Sequence, residues 1–380
     1  MTSFAFIVGI NCYPQHAAQP ELNGAVADAC DFADWALDPA GGNVAHERLY
    51  FWTYPWPTDA SARLQAYLAG ALPLWDDEDM DWAPPDQARA PRDTEIVSTA
   101  QRVGRAAYEA ALVAGEGNTP RRVYIFFAGH GLRAKEFGSL TEQTCFVARN
   151  FRLNSSNNVQ GLVACESLRK ALLSNRFSEA ILFLDCCRLR TSRLTMTAVP
   201  ITDFSTDPTD VSWGVGHAAQ DNAVAYETVG APIRGAFTKT LTQGLRTLRH
   251  GANHELHVEA LAKFVQDNIA RCTDSGQSPS FLYVPNPPGP VIVRGAVAAG
   301  AALAASSGPM VDTSTLVPGT QVLLRDGVNA LVANVPPIIA GPNAKTLPPI
   351  PDGLYSLEVV GAGGEPIIFK QPRVEPIHVT

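Results

Sequence analysis

Runs of apolar residues long enough for a β-strand alternate with helix-length amphipathic segments over residues 1–284. This alternation constrains the fold more than any other feature of the sequence. Residues 4–10, 123–127 and 180–184 are continuous, largely apolar runs, as expected of strands that are buried on both faces. Intervening segments such as residues 22–37 place apolar residues three to four positions apart, which predicts helices. The alternation is typical of an α/β domain with a mostly parallel sheet.

A proline-rich segment at residues 285–290 interrupts this pattern, because proline has no amide donor for a helix or a central strand. The sequence that follows contains short β-like runs separated by turn signals such as Asp326-Gly327 and Asp352-Gly353. We therefore predict an α/β domain over residues 1–284 and a linker or first-strand region, rich in Pro, Ala and Gly, over residues 285–312. We expect residues 313–380 to form a small all-β, sandwich-like module.

The composition of the chain argues against several classes of function. A net charge of −8 and an isoelectric point near 5.5 do not provide the basic surface that nucleic acid requires. The longest apolar stretch, residues 291–306, contains Arg294 and consists mostly of Ala and Gly, so it does not predict a membrane helix. The seven cysteines include no CxxC pair, and residues 1–10 lack the basic region of a signal peptide. We expect a cytoplasmic protein that binds neither nucleic acid nor membranes.

Two of the apolar runs end in side chains that can perform chemistry. His130 follows the run at 123–127, and Cys186 and Cys187 follow the run at 180–184. Parallel sheets bind ligands beyond the carboxyl ends of their strands, so neighbouring strands would bring the histidine and a cysteine together. Imidazole can accept the thiol proton, and the thiolate is the nucleophile. The alternative is that His130 is an ordinary loop histidine and that both cysteines are inert core thiols.

A second group of residues, His250, His254, Glu255 and His257, has the composition of a zinc site. In the HExxH motif the two histidines are four positions apart, whereas here the last histidine comes one residue too early. We therefore predict no metal site in this segment.

The residues that flank His130 and the two cysteines resemble the motifs of caspases, metacaspases and related caspase-like cysteine proteases. Phe126-Phe127-Ala128-Gly129-His130-Gly131 is similar to the family's histidine motif. Leu184-Asp185-Cys186-Cys187-Arg188 is similar to its nucleophile motif, which is Gln-Ala-Cys-Arg-Gly in caspases and Asp-Ser-Cys in metacaspases. Further similar segments follow in the family's order at residues 4–11, 22–29, 220–227 and 235–238. The resemblance covers residues 4–284 and implies the caspase fold, a mostly parallel six-stranded sheet flanked by helices, in a protease of the prokaryotic type.

The resemblance also implies what the individual residues do. The nucleophile is the third residue of its motif, Cys187, while Cys186 packs as a small side chain. His130 would be the general base and acid, and the backbone amides of Gly131 and Cys187 would form the oxyanion hole. The implied activity is that of a cysteine endopeptidase that cuts a protein or peptide substrate in a cell-death or defence pathway. The alternative is a catalytically idle caspase-like scaffold or interaction protein. In either case the C-terminal module could bind a partner or a regulator.

The charge at two positions of the resemblance predicts the specificity of the enzyme. Asp185 stands where caspases have Gln, as it does in metacaspases, and Asp28 matches the family's second acidic pocket residue. Two carboxylates in one pocket would select Arg or Lys and repel Asp or Glu. We therefore expect cleavage after basic residues, with Arg preferred. The alternative is that Asp28 caps a helix or faces solvent.

The resemblance raises the question of a calcium cofactor. Metacaspases that need calcium carry an acidic segment after the histidine motif, but residues 150–161 contain no Asp or Glu. Calcium prefers several carboxylate oxygens. We therefore expect no metal and no other cofactor, and in particular no calcium requirement.

Residues 189–213 show no sustained periodicity and match the loop that caspases cut between their large and small subunits. An exposed loop of this kind is a typical site of proteolytic nicking. Arg190 and Arg193 lie in it. If the protein processes itself, we expect the cut to follow one of these two arginines.

Overall fold

The structure is a computed structural model of the chain, and it describes residues 1–13, 21–70, 92–115, 119–136, 141–153, 158–174, 177–196, 211–228, 232–248, 255–273, 275–284, 289–293, 310–326, 331–332, 337–341, 345–346, 353–360, 367–371 and 377–378. Its helices are α1 (Ala25–Leu37), α2 (Ala62–Gly70), α3 (Asp93–Val113), α4 (Cys165–Leu173), α5 (Ala236–Thr247) and α6 (Val258–Asn268). In these parts of the chain, no helix combines the length and apolar character needed to cross a membrane.

The strands that precede residue 294 are β1 (Thr2–Ile10), β2 (Leu49–Tyr54), β3 (Arg121–Ala128), β4 (Gly131–Glu136), β5 (Glu142–Leu153), β6 (Asn158–Ala164), β7 (Glu179–Asp185), β8 (Arg190–Met196), β9 (Ser212–His217), β10 (Leu256–His257), β11 (Ser280–Val284) and β12 (Val291–Val293). The strands that follow residue 294 are β13 (Met310–Asp312), β14 (Gln321–Asp326), β15 (Ile338–Ile339), β16 (Lys345–Thr346), β17 (Gly353–Val359), β18 (Ile367–Gln371) and β19 (Ile377–His378).

Six strands form the central sheet in the order β11-β9-β7-β3-β1-β2. Every neighbouring pair is parallel except β11 with β9. The predicted α/β class with a mostly parallel six-stranded sheet is therefore confirmed. In the central strands Gly9 lies opposite Ala128, and Ala128 lies opposite Asp185, so the carboxyl ends of β1, β3 and β7 are level with one another.

Alternate residues of the central strands contact different helices, as the two-residue period of a strand requires. Phe32 of α1 stacks on Phe126 with ring centroids 4.5 Å apart, and Trp35 meets Tyr124 edge-on at 5.2 Å. The intervening strand residues belong to a core cluster with α3 and α4 that includes Ile125, Phe127, Ile96, Val97, Leu168 and Leu172. Burial of each such side chain stabilises the fold by about 1.5–3 kcal/mol. This packing fixes the strand ends that carry the candidate site.

A second group of strands, β4, β5, β6 and β8, closes on itself next to the candidate site. β4 begins directly after His130, and β8 begins three residues after Cys187. The expectation of an irregular segment from residue 189 is wrong for residues 190–196, because β8 pairs in parallel with β4 and β6. The sequence of β8 has no apolar alternation, so its conformation comes from these tertiary pairings.

The chain divides into two compact units, Met1–Thr242 with Leu256–Val293, and Gln243–Glu255 with Arg294–Thr380. The second unit contains two small sheets, ordered β15-β14-β17-β18 and β16-β13-β19. Small β-sheets in the C-terminal region were predicted and are confirmed. Their core consists of Val311, Val322, Leu324, Ile338, Tyr355 and Leu357.

Candidate active site

The candidate site lies where β3 and β7 end side by side. Ala128 and Asp185 are register partners, and the amide of Gly129 donates a hydrogen bond to the Asp185 carbonyl at 3.2 Å. The two chains leave the sheet from this pair toward His130 and Cys187. The structure therefore brings the predicted histidine and cysteine segments to the same edge of the sheet.

The backbone of His130 is fixed on both sides. Its amide donates to the Tyr13 hydroxyl at 2.9 Å, and its carbonyl accepts a hydrogen bond from the Val147 amide at 3.0 Å. The Tyr13 and His130 rings are tilted with centroids 5.1 Å apart. Burial raises the pKa of Tyr13, so its hydroxyl stays neutral. No sequence motif marks Tyr13, which follows β1.

Gly131 lies against the main chain of the nucleophile segment. A Cβ atom at this position would come within 2.5 Å of Cys186 Sγ and 2.7 Å of the Cys187 carbonyl oxygen. Only glycine permits so close an approach. The amide proposed for the oxyanion hole therefore belongs to a residue in contact with both cysteines.

The two adjacent cysteines differ in exposure. Cys186 is buried, with 2% of its surface exposed, whereas Cys187 is half-buried, and its thiol points to the Ala225 carbonyl at 3.8 Å. Burial and the charge of Asp185 raise the pKa of Cys187. A lowered pKa beside His130 would be the usual expectation for a catalytic thiol, and it is not found. The pKa of Cys186 is raised further, again chiefly by burial.

A group of four carboxylates and one arginine lies around Gly235, and we call it the acidic cluster: Asp28, Asp31, Asp185, Glu227 and Arg234. Asp28 and Asp185 are 2% and 7% exposed, which excludes a solvent-facing Asp28. A Cβ atom at Gly235 would overlap Asp185 Oδ2 and lie 2.7 Å from Asp28 Oδ2, so both side chains converge on this glycine. The structure thus brings together the two predicted pocket residues.

The pKa values of both pocket carboxyls are raised. Burial is the main cause for Asp28, and the nearby charge of Asp185 adds to it. Burial raises the pKa of Asp185 to about 6, although Thr238 opposes this by donating from its amide at 3.0 Å and from its hydroxyl at 2.5 Å, both to Oδ2.

Sequence reasoning missed Asp31 and Glu227 of this cluster, and it also missed Arg234. Its Nε donates to Asp28 Oδ1 at 2.9 Å, and its Nη2 pairs with Asp31. The amide of Gly235 donates to Asp28 Oδ2 at 2.7 Å, so both oxygens of Asp28 are hydrogen-bonded. Asp28 and Asp31 are three positions apart on α1, a spacing that could have indicated a shared partner but not its identity.

Three arginines and two carboxylates form a second group, which we call the arginine cluster: Arg133, Arg188, Arg190, Asp221 and Glu142. Asp221 pairs with both Arg133 and Arg188, which follow His130 and Cys187 respectively. Arg188 also donates to the Thr144 hydroxyl at 2.9 Å and to the Ala219 carbonyl at 3.2 Å. Asp221 therefore links the segments that carry the two candidate catalytic residues.

Residues 223–227 have a strand-like composition, but they form no strand. The segment follows a tight turn in which Asn222 has a φ of 63° and ends in an isolated bridge between Glu227 and Gly235. The Arg188 amide donates to the Ala223 carbonyl at 2.9 Å, and the Asn222 amide donates to the Arg188 carbonyl at 3.1 Å. The turn thereby shapes the loop after the nucleophile.

The predicted processing arginines lie at and within β8. Arg190 is exposed and pairs with Glu142 at 3.1 Å, while the side chain of Arg193 lies outside the described part of the structure. Within the described ranges, no three His, Cys, Asp or Glu side chains are arranged to hold a metal ion. His250 and His254 are outside those ranges.

Comparison with known proteins identifies the family. The profile described as the caspase domain matches residues 2–285. No curated protein matches. Among solved structures, the protein GSU0716 from Geobacter sulfurreducens is 15% identical, with a TM-score of 0.43 and coverage of 76% of this chain and 96% of its own. Caspase-1 from Spodoptera frugiperda is 11% identical, with a TM-score of 0.41 and coverage of 74% and 87%. The resemblance recognised in the sequence is confirmed by the profile, and the chain belongs to the caspase-domain family of cysteine peptidases.

Proposed function

We propose that the protein is a cysteine endopeptidase with a Cys187–His130 dyad that cuts protein or peptide substrates after basic residues, Arg above all. Caspase-family proteins act on protein substrates. The observation that supports the dyad best is the placement of a half-buried thiol and a histidine at the ends of two paired parallel strands. The family resemblance extends the proposal to a cell-death or defence pathway.

In the proposed reaction Cys187 Sγ attacks the carbonyl carbon of the scissile bond while His130 takes the thiol proton. The amides of Gly131 and Cys187 would donate to the resulting oxyanion. Collapse of the intermediate breaks the C–N bond, and His130 returns the proton to the leaving amine. Water then attacks the thioester carbonyl carbon, with His130 accepting its proton and returning it to the departing Cys187. Because the pKa of Cys187 is raised, proton transfer accompanies attack instead of preceding it.

The raised pKa of Cys187 is also the observation that favours the alternative, an idle caspase-like scaffold. The deciding experiment is proteome-wide mapping of new N-termini after incubation with the wild-type protein, with Cys187→Ala and with His130→Ala. We expect both substitutions to abolish cleavage, while Cys186→Ala, the matched control, retains it. Cleavage that survives in Cys187→Ala would show that this thiol is not the nucleophile, and a wild-type protein that cuts nothing would favour the scaffold.

For specificity, we propose that Asp28 and Asp185 form the pocket for the side chain that precedes the cut. The acidic cluster carries four carboxylates against one guanidinium, so its excess charge is negative. A desolvated carboxylate binds a guanidinium through charge-assisted hydrogen bonds and repels an acidic side chain. A peptide library that varies the residue before the scissile bond should have its optimum at Arg. An optimum at Asp or at a large apolar residue would contradict the acidic pocket.

We propose further that the activity needs no calcium and that, if the protein processes itself, the cut follows Arg190 or Arg193. Addition of EGTA should leave peptide hydrolysis unchanged, and loss of activity that calcium restores would refute this. Because residues 190–196 pair as β8, self-cleavage requires this strand to separate from β4 and β6 first. The intact mass of purified wild-type protein, compared with Cys187→Ala, shows whether and where the chain is cut.

A further inference from the structure

Arg234 occupies the acidic cluster from within the same chain. Its side chain is only 15% exposed, and its Nε and Nη2 atoms engage Asp28 and Asp31. The backbone that carries it is held by hydrogen bonds from the Thr228 amide to the Arg234 carbonyl at 2.7 Å and from the Arg234 amide to the Thr228 hydroxyl at 3.2 Å. A guanidinium is thus positioned against the carboxylate that a substrate arginine would need.

Asp28 has little capacity left for another donor. Both of its oxygens accept hydrogen bonds, one from Arg234 and one from the Gly235 amide, and the residue is 2% exposed. Asp185 differs, because both bonds from Thr238 go to Oδ2. Among the described residues none donates a hydrogen bond to Asp185 Oδ1. Asp185 also directly precedes the two cysteines, which places it nearer than Asp28 to the candidate nucleophile along the chain.

We propose that Arg234 is a specificity-determining residue: it holds Asp28, and a substrate guanidinium is therefore bound by Asp185. This inference rests on the proposed preference for Arg. It adds that Asp28 binds Arg234 and that Asp185 binds the substrate. Arg234 neutralises the repulsion that two buried carboxylates would otherwise exert on each other. The negative charge that remains on Asp185 faces the substrate.

The proposal predicts that removal of the Arg234 charge restores the binding of a substrate arginine that Asp28→Asn has weakened. In Asp28→Asn the guanidinium of Arg234 loses its buried partner and keeps only the more exposed Asp31, so the cluster gains one unit of positive charge, which opposes a substrate arginine. In Asp28→Asn/Arg234→Gln that charge is gone, and Asp185 can bind the substrate again. If Asp28 bound the substrate directly, the second substitution would restore nothing.

The experiment measures binding, which separates it from catalysis. A fluorescein-labelled peptide that ends in argininamide is titrated with the Cys187→Ala protein, and the same peptide ending in glutaminamide is the reference. We expect Asp28→Asn to lower the ratio of affinities for the two peptides at least about 30-fold, and Arg234→Gln to restore it to within about threefold. Asp28→Asn/Arg63→Gln is the matched control, since Arg63 pairs with Asp34 and Asp38 on the same helix but outside the cluster. It should remain as weak as the single variant.

A second cycle covers the case in which Asp28→Asn does not fold. Asp185→Asn should lose the preference for argininamide, and Asp185→Asn/Arg234→Gln should regain part of it because Asp28 is released. Failure of Arg234→Gln to restore binding in whichever cycles fold, or equal binding of both peptides by the parent protein, would overturn the proposal. Rescue of binding in a protein whose wild type cuts no peptide would refute the proposed protease function and leave the role of Arg234 standing.

Discussion

The acidic cluster includes Asp185, which precedes the two cysteines, and the arginine cluster includes Arg188, which follows them. The two clusters are opposite in composition. In the first, several carboxylates surround one guanidinium, and the pKa values of Asp28 and Asp185 are raised. In the second, several guanidinium groups surround two carboxylates, and Arg188 and Arg133 lower the pKa of Asp221. The neighbouring His217, buried and close to Arg188, has its pKa lowered to about 3 and stays neutral.

This difference shows which cluster can offer charge to a ligand. In the arginine cluster, the guanidinium of Arg188 donates to groups of the protein itself, which are the Thr144 hydroxyl, the Ala219 carbonyl and Asp221. The acidic cluster has more acceptors than internal donors. We therefore propose that the acidic cluster recognises the substrate and that the arginine cluster aligns the two segments that carry the candidate catalytic residues.

The largest expected effect comes from Asp185→Asn. The neutral amide cannot form an ion pair with a substrate guanidinium. The fall in kcat/KM for a peptide with Arg before the scissile bond should therefore correspond to a loss of about 2–5 kcal/mol of transition-state stabilisation. Hydrolysis of a matched peptide ending in Gln is the reference and should change much less. Equal losses on both peptides would mean that Asp185 shapes the fold and not the specificity.

Titration of Asp185 provides the next test. Its pKa of about 6 lies above the usual 3.8, and Asp28, Glu227 and Arg234 are the charged groups nearby. Cleavage after Arg should therefore fall up to tenfold per unit as the pH drops below about 6. Because the folded state binds the proton more tightly than the unfolded chain, stability should change the other way and decrease as pH rises from about 4 to 6.

Both pH dependences should weaken in Asp185→Asn, with residual changes left by Asp28. Activity profiles on an Arg peptide and thermal unfolding at each pH measure the two trends in the same protein. Activity on the Arg peptide that stays constant between pH 5 and 7 would show that Asp185 does not bind the substrate arginine.

A smaller effect is expected in the arginine cluster. In Asp221→Asn the linked Arg133 and Arg188 lose their shared carboxylate, but Asp221 is largely exposed, and such pairs contribute only about 0.2–1 kcal/mol each. We expect kcat to fall a few-fold, alkylation of Cys187 to change in rate, and the Arg-to-Gln preference to stay constant. Asp267→Asn, which removes an exposed pair with Lys263, is the control and should change none of these. A shift in peptide preference would contradict the division between the clusters.

The smallest effect should come from Cys186→Ser. The Cys186 side chain is buried against Gly131, and serine fits in the same volume. In the proposed assignment this thiol serves packing only, so we expect peptide hydrolysis within about threefold of wild type, at the cost of a polar group in the core. Complete inactivation of a protein that melts normally would reverse the assignment of the two cysteines.

The sequence predicted those parts of the molecule that depend on local pattern. The strands that end before His130 and Cys186 are continuous apolar runs, and their length and order led to the parallel sheet and its reactive edge. Asp28 and Asp185 were identified through motif resemblance, and the structure brings them together around Gly235.

The parts that the sequence did not reveal depend on contacts between distant residues. Arg234 pairs with Asp28 across 206 positions, and a lone arginine in a loop has no local signal that names its partner. Tyr13 contacts His130 across 117 positions for the same reason. β8 lacks an apolar alternation, yet it forms a strand through its tertiary pairings. Residues 223–227 have a strand-like composition, yet they form no strand because they follow a turn at Asn222.

The order of the central sheet determines what the proposed cut after Arg190 or Arg193 would do to the molecule. A break after Arg190 or Arg193 would place β7 and β9 on different fragments, yet these strands pair in parallel from Glu179 with Ser212 to Leu184 with His217. The fragments would therefore migrate as one particle until denatured. Asp28 and Asp185 would belong to the first fragment and Arg234 to the second, so the buried ion pair would become a contact between two chains of a heterodimer.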